Sequence, residues 1–400
     1  MHEHILLISS EYTSANYSVL VTAIKKAYPG CIIHYLYRAK ENLEYKERYE
    51  DNIFYIPIHD QLQDKLSKYY DNISNPLFKR FILYLNIFLL RYLGRSFFYT
   101  RYEKLLAKSA ILEIDKYSID KLFTSNNPYT AHKAGLKIVK ARKKIKWFQF
   151  WLDPFCKYSS LSSFSIQKRN TLSLEQKLLD AAFKIFALPE AFANDPFVAK
   201  YSSKINFFEI PYITHREIES RTKDIIYSGS FAKGLREPEP VFEIIQAALS
   251  QIDNHFRFVF FVKDKTQFNK VEKESNSRII FKNYVSRNQL SSILSNSYAL
   301  LNIGNINSKQ MPSKVVEYIS YRKPTLFFYS DKNDPSFRYY NFYSEVCPIC
   351  LRDQLSLNVK KLVSFVHSNH SDISYNQLME IDIFRESTPE FLANMILDKK

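Results

Sequence analysis

Apolar and polar positions alternate in blocks along most of this chain. Residues 4–8 (HILLI) form a short apolar run, a polar turn follows at 9–14, and residues 16–27 carry helical spacing that Pro29-Gly30 stops. Residues 32–37 supply the next apolar run. Short apolar runs separated by helix-length segments predict a parallel βαβ sheet. The alternation resumes with a strand at 120–124, a helix from just before His132 to about Lys144, and a strand at 146–152. Strands at 182–187 and 205–210, with a helix between them, complete the first series. A polar, charged stretch at 211–223 reads as a linker. The second series opens with a strand at 224–231, a helix at 238–249, strands at 256–262 and 278–281 and a helix at 286–294. Beyond it come a strand at 298–303, a helix opening at Pro312, strands at 325–329 and near Val346, a helix at 357–366 and helical segments over 381–400.

Four hundred residues exceed what one core usually holds. The expected architecture is therefore α/β with two Rossmann-like α/β/α domains facing across a cleft. The first is expected over 1–212 and the second over 213–376, with a helical tail at 377–400 packing back on the first.

Residues 77–109 interrupt the alternation. Seven basic side chains (Lys79, Arg80, Arg91, Arg95, Arg101, Lys104 and Lys108) stand there against one acid, Glu103, with nine aromatic residues interleaved. A basic, aromatic, helix-compatible segment suits the interface of an anionic membrane. The competing reading is a helical hairpin packed on its domain with arginines snorkelling. The longest apolar run, 81–90, is ten residues and contains Asn86, too short to span a bilayer, which needs about 20 residues. Residues 4–8 lack the basic flank and length of a secretion signal.

Composition sharpens this picture. A net charge of +15 points to anionic partners: a membrane surface, a phosphorylated substrate or nucleic acid. No nucleic-acid-binding motif is present, so that partner is not expected. Four scattered cysteines make no disulfide framework, and the lone CPIC at 347–350 sits inside an apolar run rather than at a helix start. No second cysteine pair completes a zinc site, and no metal is expected.

The candidate chemistry lies in 298–329, read as strand, loop, helix, strand. A helix that follows a parallel strand presents free N–H groups and its positive dipole end to an anion. Ser313 adds a hydroxyl and Lys314 a charge. Glu317 lies three residues from Lys314 and four from Ser313, so the three share one face. A carboxylate one turn below a phosphate site suits the hydroxyls of a ribose. The plain alternative is a surface helix with a Lys314–Glu317 pair. In the first half, His132 opens a helix beside the carboxyl edge of a strand.

These residues also carry a family resemblance. YSGSF followed by LREPEP, then NYVSRNQLSSILSNSYALLNIG and QMPSKVVEYISYRKPTLFF, resemble the donor domain of GT-B glycosyltransferases of the retaining family-4 type, glycosyl transferases group 1. SNNPYTAHKAGLKI and KWFQFWLDPF are similar to the acceptor domain of its bacterial polysaccharide members. The resemblance implies a metal-independent enzyme without a cofactor, taking a nucleotide diphosphate-sugar, foremost a UDP-sugar, as co-substrate. The acceptor it implies is lipid-linked or a polysaccharide, at the cytoplasmic face of a membrane. It implies that Gly229 and Ser230 let the chain approach the diphosphate, and that Arg236, Ser313 and Lys314 neutralise it. Gly304 and Asn305 would present backbone to the sugar, Glu317 would hold the ribose, and His132 would touch the transferred sugar. Two departures stand out. Lys309 replaces a glutamate that many members carry eight positions before Glu317, and Glu11-Tyr12-Thr13-Ser14 replaces a small-residue loop. A nucleotide-sugar epimerase of the same fold and an inactive partner subunit of a glycosyltransferase are the alternatives.

Overall fold

The computed structural model describes residues 2–399 apart from 10–14, 40–47, 60–68, 71, 94–101, 126–128, 153–164, 193–196, 217–221, 232–233, 235, 307–311, 313 and 371–372. The chain divides into two compact units: Met1–Glu209 with Leu392–Lys400, and Ile210–Phe391.

In the first unit the chain runs β1 (His4–Ile8), α1 (Ala15–Ala27), β2 (Ile32–Arg38), β3 (Arg48–Glu50), β4 (Ile53–Ile58), α2 (Pro76–Leu93) and α3 (Tyr102–Tyr117). It continues with β5 (Lys121–Ser125), α4 (Thr130–Ala141), β6 (Lys146–Trp151), α5 (Ser165–Ala181), β7 (Lys184–Ala187) and β8 (Ile205–Phe207). The strands form one eight-stranded sheet in the order β3-β4-β2-β1-β5-β6-β7-β8, parallel except for the β3–β4 edge. Expectation and structure differ between β7 and β8: Pro189 starts a single 3-10 turn, Pro189–Ala191, and no longer helix occupies that stretch among the described residues. The helix stands instead before β7, as α5.

The 77–109 segment divides between the two readings offered for it. The second helix, α3, packs: Tyr102, Leu106, Ala107, Ala110 and Ile114 are buried against α4 and β2. The first, α2, leaves large apolar side chains in solvent, Leu77, Phe81 and Tyr84 among them. Among the described residues no helix is long and apolar enough to cross a membrane.

The second unit carries β9 (Asp224–Ser228), α6 (Glu239–Ala248), β10 (Arg257–Val262), α7 (Asn269–Glu274), β11 (Ile279–Asn283), α8 (Arg287–Asn296), β12 (Ala299–Ile303) and α9 (Lys314–Ser320). Then follow β13 (Thr325–Tyr329), α10 (Phe337–Tyr340), β14 (Val346–Cys350), α11 (Leu355–His367), α12 (Tyr375–Met379), α13 (Asp382–Glu386) and, returning to the first unit, α14 (Pro389–Ile396). The sheet order is β11-β10-β9-β12-β13-β14, with every pairing parallel. Its strands are apolar at nearly every position because both faces are covered. Ile225, Tyr227, Phe258, Phe260, Leu301 and Ile303 join one core with α6 and α11. Ile226, Val259, Phe261 and Leu300 join Leu294 and Tyr318 on the other face.

The stretch read as a linker is partly core. Tyr212 and Ile213 are buried, and the Ile213 N–H donates to the Ser387 carbonyl at 2.9 Å. Arg216 lies over the Tyr321 ring at 4.3 Å and donates to Ser320 and Ser291 at 3.1 and 3.0 Å. An apolar Pro211-Tyr212-Ile213 triplet followed by a stacking arginine binds this strap to the second unit. The tail is divided as well: residues through Phe391 stay with the second unit, and Leu392–Lys400 belong to the first. There the buried Lys184 of β7 donates to the Met395 carbonyl at 2.5 Å and pairs with Asp398.

One close approach fixes how α4 lies on its sheet. A Cβ at Gly135 would stand 2.5 Å from the Trp147 ring of β6, and Trp147 is fully buried. Gly135→Ala is expected to force that ring aside and destabilise the protein by about 1–3 kcal/mol. Thermal unfolding of the variant checks this; an unchanged melting temperature refutes it.

Candidate functional site

The strand order of the second unit reverses between β9 and β12, and ligands of open α/β sheets bind outside the carboxyl ends of strands at such a point. β9 ends there in Ser228 and β12 in Ile303, with Gly229 and Gly304 immediately beyond. The register pairs Leu300 with Ile226, which brings the two exits level.

α9 is joined to the end of β9 through the backbone of one residue. The Ser228 N–H donates to the Tyr318 hydroxyl at 3.0 Å. Lys314, one turn earlier, donates its ammonium to the Ser228 carbonyl and lies 3.5 Å from Ser228 Oγ. Lysine and tyrosine four residues apart share a helix face, so this spacing serves the junction. The ammonium is drawn inward instead of forming a surface pair with Glu317. Burial lowers the Lys314 pKa to about 8; Arg236 pushes the same way and Glu317 opposes both.

Arg236 supplies the second cation, from the loop after β9. Its Nη2 donates to Asn305 Oδ1 at 2.7 Å and its Nη1 to the Ser230 carbonyl at 3.2 Å. Its Nε is buried without a hydrogen-bond partner. Asn305 is held in turn by Asp334, whose Oδ2 accepts the Asn305 N–H at 3.0 Å while Oδ1 accepts the Ser336 N–H at 2.8 Å. Asp334 is 4% exposed. Burial raises its pKa above the usual carboxylate range, against the opposing pull of Ser336, Asn305 and Arg236. A Cβ at Gly304 would lie 2.2 Å from Asp334 Oδ2, so glycine is what lets the carboxylate reach that N–H. At Gly229 a Cβ would meet the Tyr227 hydroxyl at 2.6 Å, which accounts for the glycine there by packing.

The other expected residues fall as follows. Glu317 is half-buried on α9, beside Tyr212 and Tyr321, whose phenols it helps burial to raise while Arg287 opposes. Ser230 is exposed and contributes its carbonyl to Arg236. Ser313 and Lys309 lie outside the described residues. The structure thus brings Gly229, Ser230, Arg236, Gly304, Asn305, Lys314 and Glu317 to one end of one sheet. Asp334 escaped the sequence reading; its one signal is an Asp-Pro-Ser turn beyond the carboxyl end of a strand.

His132 belongs to the first unit, near the carboxyl ends of β5 and β6. It is fully buried, its Nδ1 is 2.7 Å from Thr124 Oγ1, and that hydroxyl also accepts from Trp147 Nε1 at 2.8 Å. Burial lowers the imidazole pKa to about 3, against the opposing pull of the Phe150 backbone, and holds the ring neutral. Among the described residues no group of three metal-binding side chains is present. Cys347 and Cys350 are free thiols on the edge strand β14; three residues apart on a strand, they point to opposite faces.

Asp334→Ala is expected to leave two buried N–H groups unpaired and destabilise the fold by about 1–3 kcal/mol. Gly304→Ala should act comparably by expelling the carboxylate. The double variant should lose less than the sum, because alanine at 334 makes room for the methyl group. Denaturant melts of the four proteins test this, and strict additivity would show that the two positions do not meet.

No family model matches the chain, and none of the curated proteins matches it. Solved structures do. The E. coli trehalose-6-phosphate protein bound with UDP-2-fluoro glucose matches with a TM-score of 0.58 at 11% identity, over 99% of this chain and 98% of that one. Trehalose-6-phosphate synthase OtsA matches with a TM-score of 0.58 at 12% identity, over 99% and 98%. UDP-GlcNAc 2-epimerase from Neisseria meningitidis, bound to UDP-GlcNAc, matches with a TM-score of 0.56 at 10% identity, over 100% and 99%. At such identities the likeness establishes the fold: this chain has the GT-B architecture, shared by glycosyltransferases and nucleotide-sugar epimerases.

Proposed function

We propose that this protein is a metal-independent glycosyltransferase that moves a sugar from a nucleotide diphosphate-sugar to a glycan or lipid-linked acceptor, with retention. The observation that carries the reading is the pair of cations Lys314 and Arg236 at the switch point of the second sheet. Neither pairs with a carboxylate among the described residues; they are tied to a carbonyl and an amide instead. Two cations close enough to repel each other, with no direct ion pair to a carboxylate among the described residues, have the chemistry of a diphosphate site. UDP as the nucleotide is supported by the ligands named for two of the matching structures, UDP-2-fluoro glucose and UDP-GlcNAc. The acceptor side of the proposal is bacterial polysaccharide biosynthesis on the cytoplasmic face of an anionic membrane, for which the net charge of +15 speaks.

As the bond from the anomeric carbon to the diphosphate oxygen breaks, negative charge grows on the departing nucleoside diphosphate. Lys314 and Arg236 meet that charge, and cations already in place lower the barrier most. The unpartnered Arg236 Nε–H is a donor with capacity to spare. Ser313 and the opening of α9 add hydrogen bonds to the diphosphate, and Gly229 and Ser230 bring backbone close to it. Gly304 and Asn305 face the sugar, Glu317 takes the two ribose hydroxyls, and His132 is assigned to the transferred sugar.

The second reading is an epimerase, favoured by the match to the Neisseria enzyme. It converts a UDP-sugar without any acceptor, so product analysis in the absence of acceptor separates the two. An inactive partner subunit would bind nucleotide and turn nothing over, an outcome that Lys309 in place of the usual glutamate keeps in view. A thermal-shift panel of UDP, GDP, ADP and their sugars is the first test. A ligand at a hundred times its dissociation constant stabilises by about 2.7 kcal/mol.

Two outcomes are expected. Glu317→Ala should weaken nucleotide binding, whereas Arg236→Ala and Lys314→Ala should lose turnover beyond their loss of affinity, by roughly 10²–10³ for a donor to a developing oxyanion. Normal kinetics in the Lys314 and Glu317 variants would remove the site. The pH dependence follows from Lys314. Free protein releases its proton near a pKa of about 8, and a bound diphosphate favours the charged form. UDP affinity should therefore be full below that pH and fall up to about tenfold per unit above it. Lys314→Arg should abolish this limb, as calorimetry across the range would show.

A further inference from the structure

We infer that α2 lies in the interface of an anionic bilayer with one defined face inserted. The starting observation is an exposed apolar surface. Leu77, Phe81, Tyr84 and Phe88 recur at the i, i+4, i+7 and i+11 positions of one helix row and are 74, 59, 66 and 51% exposed. Phe78 and Leu85 widen the same stripe and are also exposed. Scattered exposed hydrophobics are ordinary, but a contiguous apolar stripe along a helix marks an interaction surface.

The helix is formed before it meets any partner. Pro76 opens it, and Asn75 Oδ1 accepts the N–H groups of Leu77 and Phe78 at 2.9 and 3.2 Å. The face turned away from the stripe is the less exposed one, with Lys79 and Ile82 partly buried, and α2 packs on α5. Lys79 itself lies 5.1 Å from the Tyr70 ring. Eighteen residues make a rod of about 27 Å, which can lie flat with its rings turned to one side.

Charge identifies the occupant. α2 contains Lys79, Arg80 and Arg91 and no acid. Arg80 and Arg91 are eleven residues apart, so both fall on the row that borders the stripe through Tyr84. Cations at the edge of an inserted face sit level with lipid phosphates, while aromatic and aliphatic side chains enter the acyl boundary. A second copy of the chain would set the same arginine rows against each other on a protein of net charge +15, so self-association is disfavoured. An anionic lipid surface satisfies the stripe and its border together. This rests on the membrane side of the proposed function and is independent of its sugar-transfer chemistry.

The test uses the full chain, without donor or acceptor, and vesicles of phosphatidylcholine with and without phosphatidylglycerol. Wild type should co-sediment with the anionic vesicles alone. Arg80→Ser with Arg91→Ser should lower partitioning about 25-fold, about fivefold for each charge. Phe81→Ser with Phe88→Ser should abolish partitioning, and a retained cooperative thermal transition shows that this variant is folded. Phe81→Trp should shift its emission to the blue on anionic vesicles; the two native tryptophans, Trp147 and Trp151, are fully buried and give a steady background. Equal partitioning of wild type and both double variants overturns the inference, and so does an unshifted tryptophan at 81. A lipid-independent dimer that the Phe81/Phe88 variant dissociates also overturns it and assigns the stripe to a second copy. Each of these outcomes leaves nucleotide binding, measured separately by thermal shift, to judge the donor reaction.

Discussion

The second unit is organised around the backbone of a single residue, Ser228. Its N–H meets the Tyr318 hydroxyl and its carbonyl meets the Lys314 ammonium, so the first strand of the sheet ends against the helix that follows the fourth. Parallel strands diverge where the chain order reverses, and a crevice there leaves backbone groups without a ladder partner. Side chains from α9 supply those partners. The same two contacts close the end of the sheet and hold a cation at its rim. Drawing an ammonium inward costs charge solvation, which is why its proton is held more weakly than usual. Arg236 nearby adds to that cost and Glu317 offsets part of it.

Arg236 shows the same economy by a longer route. Its guanidinium is steadied by Asn305, Asn305 by Asp334, and Asp334 reaches its place because residue 304 has no side chain. A buried carboxylate bonded to two backbone N–H groups is a rigid support. The cation it steadies stands two hydrogen bonds away, so the support need not neutralise the site. Holding cations in place before a ligand arrives spares ordering cost on binding, and in catalysis spares reorganisation as charge develops.

The first unit puts two helices that follow one another in sequence to opposite uses. α3 buries Tyr102, Leu106, Ala110 and Ile114 against the sheet side. α2 leaves Leu77, Phe81, Tyr84 and Phe88 in solvent. α2 is basic and aromatic, whereas α3 sets Lys104, Lys108 and Lys116 against Glu103, Glu113 and Asp115; both have apolar residues at helical spacing. α3 lies over β1, β2 and β4, whereas α2 packs on α5.

Much of the architecture was legible in the residues. Apolar runs of four to six with helix-length spacers are covered on both faces of a parallel sheet, so β1, β9, β10, β12 and β13 stood out by pattern alone. That Lys314 and Glu317 share a helix opening beyond the carboxyl end of a strand was legible, because helix spacing is local. Contacts between distant segments were not legible. No local signal joins Lys314 to Ser228, eighty-six residues earlier, or marks Asp334 as the support of Asn305. Nor does polarity reveal that Tyr212 and Ile213 bind a presumed linker to its unit. Periodicity reports which face of an element is apolar, and the sequence by itself determined that much. Whether that face is covered, and by what, depends on chain far away in sequence; only the tertiary structure decided it, burying one aromatic helix and exposing its neighbour.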